Sequence, residues 1–131
     1  MTSSTWTSES GAALIGVGVD AEMVDRFRLE KESDNPLPLV FSNEEWSCAA
    51  LVPDTASALC AAFTFKEAVF KAIGAPFDPR LVQWMAGDQP GSGEAVLAPE
   101  VMREFKIAGV DVRILFPDPG ECVTIVHVFG G

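Results

Sequence analysis

The 131-residue chain carries nine basic and nineteen acidic side chains, which give it a formal net charge of −10. This acidity argues against a general nucleic-acid-binding protein, because such proteins neutralise phosphates with lysine and arginine. No apolar run approaches the roughly 18 residues that span a bilayer, so the sequence predicts neither a nucleic-acid partner nor a membrane partner.

Length and cysteine pattern bear on domain organisation and compartment. An apolar content of 48% predicts one folded domain at residues 13–131, preceded by a disordered polar tail at residues 1–12 that lacks the features of a secretory signal. The three cysteines, Cys48, Cys60 and Cys122, show no Cys-x-x-Cys spacing, which predicts reduced, buried thiols in a cytoplasmic protein. A single histidine, His127, leaves little material for histidine-based catalysis.

The first half of the chain predicts one strand followed by helices. In order, we predict a strand at Ala13–Val19, a helix at Asp20–Lys31, a helix beginning at Ser42 and a long helix at Ala58–Gly74. The strand is apolar on both faces and stops at an acid. Prolines at 36 and 38 end the first helix, and Ser42 with Glu45 three residues later forms a capping-box pattern. Gly74 fits the C-cap of the long helix.

The second half has shorter, mostly extended segments. We predict strands at Leu81–Ala86 and Glu94–Leu97, a helix at Pro99–Ala108, and strands at Val110–Phe116 and Cys122–Phe129. Glycine- and proline-rich turns separate these strands. The order predicts an α+β domain in which one long helix packs on a mainly antiparallel sheet.

Four charged residues stand out within otherwise apolar elements. Asp20 ends the first strand, and Lys66, Glu67 and Lys71 lie on the long helix. Two carboxylates with nearby lysines suggest a divalent cation of the Mg²⁺ type that holds a polyphosphate, since Mg²⁺ favours one or two carboxylates plus phosphate oxygens. Simpler interpretations remain open: Asp20 can cap the following helix, Glu67 and Lys71 can form an i,i+4 surface pair, and Lys66 can be a solvated side chain.

Together these residues resemble the phosphopantetheinyl transferases, specifically the small holo-acyl-carrier-protein synthase type. That family opens with a Gly-Ile-Gly-Ile-Asp strand and a following Arg-Phe, which Gly16–Asp20 and Arg26-Phe27 match. Its Phe-Thr/Ser-x-x-Glu helix start is matched at Phe41–Glu45. Its signature Phe-x-x-Lys-Glu-Ala-x-x-Lys-Ala-x-Gly is matched at Phe63–Gly74, and the resemblance covers about residues 13–129.

The resemblance implies a 4′-phosphopantetheinyl transferase-like fold and transfer of 4′-phosphopantetheine from coenzyme A, the co-substrate, to a serine of an acyl or peptidyl carrier protein. It implies that Asp20 and Glu67 hold Mg²⁺ and that Lys71 contacts the phosphates. Lys66 and Glu67 map to the catalytic part that activates the serine, and Arg26 maps to the carrier-protein contact. It further implies a homotrimer with sites between subunits, serving fatty-acid or polyketide biosynthesis.

The sequence also departs from the family pattern at three places. Met23 stands where the family has glutamate, with Glu22 beside it, and Ala62 stands where it has arginine. The family's late Ser-x-Ser-His element is replaced by Arg113–Pro117, which has no histidine. Two alternatives therefore stay open: a family-fold protein that binds carrier proteins without transfer, or a repurposed enzyme that uses Asp20 and Glu67 for acid–base chemistry on carrier-bound intermediates.

Overall fold

The structure, a computed structural model, describes residues 12–28 and 40–131. In chain order it contains β1 (Ala13–Met23), a 3₁₀ helix (Val24–Phe27), α1 (Asn43–Leu51), α2 (Thr55–Ile73), a second 3₁₀ helix (Pro79–Leu81), β2 (Val82–Ala86), β3 (Gly93–Leu97), α3 (Pro99–Glu104), β4 (Ile107–Leu115) and β5 (Glu121–Gly130). Residues 1–11 of the predicted tail and the predicted proline break lie outside the described residues. Within the described ranges, no helix is long and apolar enough to cross a membrane.

The strands form two antiparallel sheets. One has three strands in the order β1-β5-β4, and the other is the β2-β3 hairpin. Helix α2 packs against β1, β5 and β2 and therefore lies between the two sheets. This arrangement confirms the predicted α+β class with a long helix on antiparallel strands.

Helix α2 is defined at both ends by local chemistry. At its start the Asp54 side chain accepts a hydrogen bond from the Ser57 N–H at 3.2 Å. At its end Gly74 has φ 77°, and its N–H donates to the Phe70 carbonyl at 2.8 Å. Most residues of the central turns are buried, because small and apolar side chains such as Cys60, Phe65 and Ala68 face the core.

The structure corrects the prediction of a helix that begins at Asp20. Strand β1 continues past this residue, because its ladder with β5 pairs Asp20 with Thr124 and runs on to Met23 opposite Glu121. Asp20 therefore does not cap a helix, and a 3₁₀ turn at Val24–Phe27 follows the strand; residues 29–31 of the predicted helix lie outside the described residues. Cross-strand hydrogen bonding overrides the helical spacing of the local apolar residues.

The predicted helix at Pro99–Ala108 is also too long. Helix α3 ends at Glu104, and Lys106 adopts φ 57° immediately before β4 begins at Ile107. A non-glycine residue in this left-handed region ends a helix as a glycine does. The early start of β4 provides a longer ladder with the C-terminal strand.

The thiols follow the prediction of reduced and buried cysteines in part. All three are free; Cys60 and Cys122 are buried, whereas Cys48 is half-buried. A hydrogen bond with Cys122, followed by burial, raises the pKa of the Cys60 thiol well above its ordinary value. Because the thiolate is the nucleophilic form, Cys60 is not suited to nucleophilic catalysis.

Candidate active site

Strand β1 and helix α2 approach each other closely along two glycines. A Cβ atom on Gly16 would lie 2.1 Å from the Ala72 carbonyl oxygen, and one on Gly18 would lie 1.8 Å from that of Ala68. Two strand residues advance about 6.6 Å and one helical turn about 5.4 Å, so alternate strand residues meet successive turns of the helix. The next residue on the same face of β1 is Asp20, which thereby faces α2.

Asp20 lies at this interface with only one of its oxygens paired. Its side chain is 12% exposed, and Oδ1 accepts a hydrogen bond from Lys71 Nζ at 3.0 Å. Lys71 also donates to the Val19 carbonyl at 3.0 Å. Asp20 Oδ2 is buried and has no hydrogen-bond partner within the described part of the chain. Since buried carboxylate oxygens are normally paired, this oxygen is available to a cation.

Glu67 lies one helical turn before Lys71 and within the electrostatic field of Asp20. Partial burial is the largest cause of a raised pKa at Glu67, and the negative charges of Asp20 and Glu22 act in the same direction. Lys71 opposes the shift. A site where carboxylates disfavour each other's charge is one that a bound cation stabilises.

These carboxylates fit a shared magnesium site and not an all-protein cage. Within residues 12–28 and 40–131, no three His, Cys, Asp or Glu side chains are arranged to hold a metal by themselves. Two carboxylates that leave the other positions to water and phosphate oxygens are the ligand set typical of Mg²⁺. The unpaired Asp20 Oδ2 and the raised pKa of Glu67 are both consistent with this cation.

The structure places Lys66 away from Asp20, Glu67 and Lys71. Its ammonium group is buried on the side of α2 that faces α1 and β2, where it pairs with Glu45 Oε1 at 2.6 Å. Burial lowers the pKa of Lys66, whereas the charge of Glu45 opposes that change. Lys66, predicted to be catalytic, therefore does not join Asp20, Glu67 and Lys71. The sequence predicted its partner Glu45 only as a capping residue.

Glu22 is a member of the site that sequence reasoning missed. It lies two residues after Asp20 on the same strand, with its side chain 21% exposed, and it accepts a hydrogen bond from Arg26 Nη1 at 2.6 Å. The Arg26 guanidinium also lies 5.6 Å from the centre of the Phe63 ring. A prediction that extended β1 by three residues would have placed Glu22 beside Asp20 on the same face of the strand.

The segment Arg113–Pro117, which replaces the family's late histidine element, is apolar after its exposed arginine. Phe116 lines a cavity of about 200 Å³ together with Trp84 and Ala61, at the N-terminal end of α2. Asp20, Glu67 and Lys71 do not line this cavity. Ala62, which replaces the family's arginine, is buried in the core.

A family model described as the 4′-phosphopantetheinyl transferase superfamily matches residues 16–106, a span that includes the Asp20 and Glu67 motifs. The chain belongs to this superfamily. The match covers both halves of the β1–α2 contact, so it includes the elements that bring the two carboxylates together. Among curated proteins, none matches the sequence.

Solved structures of holo-acyl-carrier-protein synthases share the fold of this superfamily member. The Plasmodium yoelii enzyme has 20% identity and a TM-score of 0.71, with 92% of this chain and 98% of that chain covered. The Neisseria meningitidis enzyme has 18% identity and a TM-score of 0.71, with 88% and 98% covered. The Helicobacter pylori enzyme, solved in complex with coenzyme A, has 20% identity and a TM-score of 0.68, with 86% and 98% covered.

Proposed function

We propose that this protein is a Mg²⁺-dependent holo-acyl-carrier-protein synthase that transfers 4′-phosphopantetheine from coenzyme A to a carrier-protein serine. The observation that carries the proposal is the meeting of Asp20, Glu67 and Lys71 between β1 and α2, in a chain whose superfamily is defined by this transfer. The coenzyme A complex of the Helicobacter pylori relative supports coenzyme A as co-substrate. The reaction suits a cytoplasmic protein with reduced thiols.

The residues divide the work between charge neutralisation and orientation. Mg²⁺ held by Asp20 and Glu67 would supply charge neutralisation at the coenzyme A diphosphate. Lys71, fixed by two oxygens of β1, presents its remaining proton to a phosphate oxygen. In the transfer the serine oxygen forms a bond to the pantetheine-bearing phosphorus of the coenzyme A diphosphate, and the bond from that phosphorus to the bridging oxygen breaks. Adenosine 3′,5′-bisphosphate leaves with the bridging oxygen, and the serine proton passes to solvent water. Positioning and preorganised charge account for most of the catalysis in such a site.

The direct test is incubation of the protein with apo carrier protein, coenzyme A and Mg²⁺. We expect the intact mass of the carrier to rise by one phosphopantetheine group. Asp20→Ala should abolish the increase, because it removes the buried carboxylate of β1, whereas Glu100→Ala on the exposed surface of α3 should not. Absence of a mass increase across several acyl and peptidyl carriers would rule out the transferase.

Arg26 is the residue we propose for contact with the acidic carrier protein. Its side chain is 47% exposed and is held beside the carboxylate site by Glu22 and the Phe63 ring. Exposed charges of this kind act mainly on encounter and orientation.

We expect Arg26→Ala to raise the KM for carrier protein several-fold and to change kcat little, since the arginine would bind the carrier and not the diphosphate. Arg103→Ala, on the exposed face of α3, is the matched control and should leave both constants unchanged. The contact is excluded if the two variants give the same KM, measured with coenzyme A saturating.

A homotrimer is the assembly we propose, as the family resemblance implies, and the exposed apolar side chains of β1 support it. Val17 and Val19 alternate with Gly16, Gly18 and Asp20 and therefore point away from α2; they are 48% and 47% exposed, and Met23 is 54% exposed. Strand β1 is also an edge of its sheet. An apolar edge strand of this kind is normally covered by a partner, and a second copy of the chain would supply one.

Light scattering of the purified protein should give the mass of three chains. Val17→Lys should shift it towards the monomer, because the charge would be buried against the neighbouring copy. Leu51→Lys is the control, since Leu51 is 86% exposed at the end of α1. A wild-type monomer would contradict the proposed assembly, as would a Val17→Lys protein that remains trimeric.

The second candidate is a carrier-binding factor without transferase activity. It is favoured by two departures from the family pattern: the segment Arg113–Pro117 has no histidine, and Ala62 stands where the family has arginine. Calorimetry separates the two functions. Carrier binding without measurable coenzyme A binding supports the factor, and tight coenzyme A binding in Mg²⁺ supports the enzyme.

A further inference from the structure

The buried pair Glu45–Lys66 forms a closed set of hydrogen bonds. Lys66 Nζ donates to Glu45 Oε1 at 2.6 Å and to the carbonyls of Pro79 and Val82, each at 2.7 Å. The two side chains are only 2% and 1% exposed. An ammonium group has three protons, and all three are donated within the protein.

Both carboxylate oxygens of Glu45 also accept hydrogen bonds from backbone N–H groups. Oε1 accepts from the Ser42 N–H at 3.0 Å, and Oε2 accepts from the Trp84 N–H at 2.8 Å. The pair therefore connects the first turn of α1 with two backbone groups of β2, one through Lys66 and one through Glu45. Since Lys66 lies on α2, three elements of the fold meet at this single buried ion pair.

The ion pair contacts one side of α2, and the carboxylate site lies on another side of the same helix. Consecutive helical residues are about 100° apart, so Glu67 projects from α2 at about that angle to Lys66. On its β1 side the helix touches the strand through Gly16 and Gly18. Rotation of α2 by about 10° would move a group some 6 Å from its axis by about 1 Å, and such a misplacement is worth about 100-fold in rate.

We propose that Glu45 and Lys66 are positioning residues, and that their buried ion pair sets the rotation of α2 so that Glu67 faces Asp20. The effect on catalysis rests on the proposed function, whereas the effect on the rotation of α2 does not. Lys66 thereby has a different role from acid–base catalysis: no proton of its ammonium group is directed towards a carrier serine.

The test compares Lys66→Gln, Glu45→Gln and the double variant. Each single change leaves a buried charge without its partner, whereas the double change removes both charges and keeps one of the two acceptor oxygens at residue 45 and an amide donor at residue 66. We expect each single variant to lower kcat by about tenfold or more with the KM for carrier protein unchanged. The double variant should return to within about threefold of wild type. Amide NMR signals of Asp20 and Glu67 should shift in both single variants and return in the double variant.

A catalytic amine at residue 66 predicts the opposite pattern. Glu45→Gln, which keeps the amine, would then retain kcat, and the double variant would be as inactive as Lys66→Gln; either result overturns the proposal. If the single variants do not fold, the folded double variant decides, because it lacks the amine: activity supports positioning and inactivity overturns it. If wild type transfers nothing, the proposed function fails, and the NMR signals alone support or overturn the positioning role.

Discussion

Replacement of Glu67 by Gln is expected to abolish phosphopantetheine transfer and to stabilise the metal-free protein at neutral pH. The first effect follows from the loss of one of the two proposed Mg²⁺ ligands, and we expect a fall of at least about 100-fold in kcat. The second follows from the raised pKa of Glu67, whose carboxylate is penalised by burial and by the charges of Asp20 and Glu22. Glutamine keeps the shape of the side chain and removes that penalty.

The pH dependence of this stabilisation has a definite sign. A carboxyl whose native pKa is raised contributes stability below its ordinary value of 4.5 and loses that contribution as pH rises through the raised native value. Thermal unfolding in a chelator should therefore give Glu67→Gln a higher Tm than wild type at pH 7. The difference should shrink as the pH falls through the raised native pKa of Glu67 and disappear below about 4.5. Mg²⁺ should raise the Tm of wild type and leave that of Glu67→Gln unchanged.

Glu100→Gln is the matched control, since Glu100 is exposed on α3. Its Tm should follow that of wild type at every pH and with Mg²⁺. A Glu67→Gln protein that is less stable than wild type at pH 7 would mean that Glu67 has a stabilising partner, and the cation site would then have to be sought elsewhere.

Much of the site could be predicted because it depends on short-range patterns. The spacing of Lys66, Glu67 and Lys71 follows from helical geometry, and the apolar run before Asp20 indicates a strand directly. The capping box at Ser42 and Glu45 was predicted from spacing and is confirmed, with the Glu45 N–H to Ser42 Oγ bond at 3.1 Å. The grouping of Asp20 with α2 came from a family resemblance, since nothing local connects residues that are 47 positions apart.

The remainder depends on contacts that spacing does not encode. Glu22 was assigned to a helix because the apolar residues after Asp20 have helical spacing, but pairing with β5 extends the strand. Lys66 and Glu67 are adjacent in the sequence motif, and the motif does not distinguish them. In the structure Lys66 is buried, whereas Glu67 faces Asp20. That difference exists only because Glu45 and the carbonyls of the 79–82 turn surround Lys66.

Gly18→Ala is expected to separate β1 from α2 and to disrupt the site without altering any charged residue. Its Cβ would lie 1.8 Å from the carbonyl oxygen and 2.8 Å from the carbonyl carbon of Ala68. Both atoms belong to the backbone of a buried helix, so no flexible side chain can move aside. We expect a loss of about 3 kcal/mol in the free energy of unfolding, at the upper end for overpacked cores. The Asp20–Lys71 bond would lengthen, and transfer should fall together with stability.

Gly120→Ala separates this steric effect from the general effect of replacing a glycine. A Cβ at this turn position would meet nothing within 4 Å, and its φ is not in the left-handed region. Its unfolding free energy in urea should stay within about 0.5 kcal/mol of wild type. If Gly18→Ala is equally mild and fully active, the contact between β1 and α2 is loose. The two carboxylates would then not be held at a fixed separation by the backbone, and the glycines of the first motif would need another explanation.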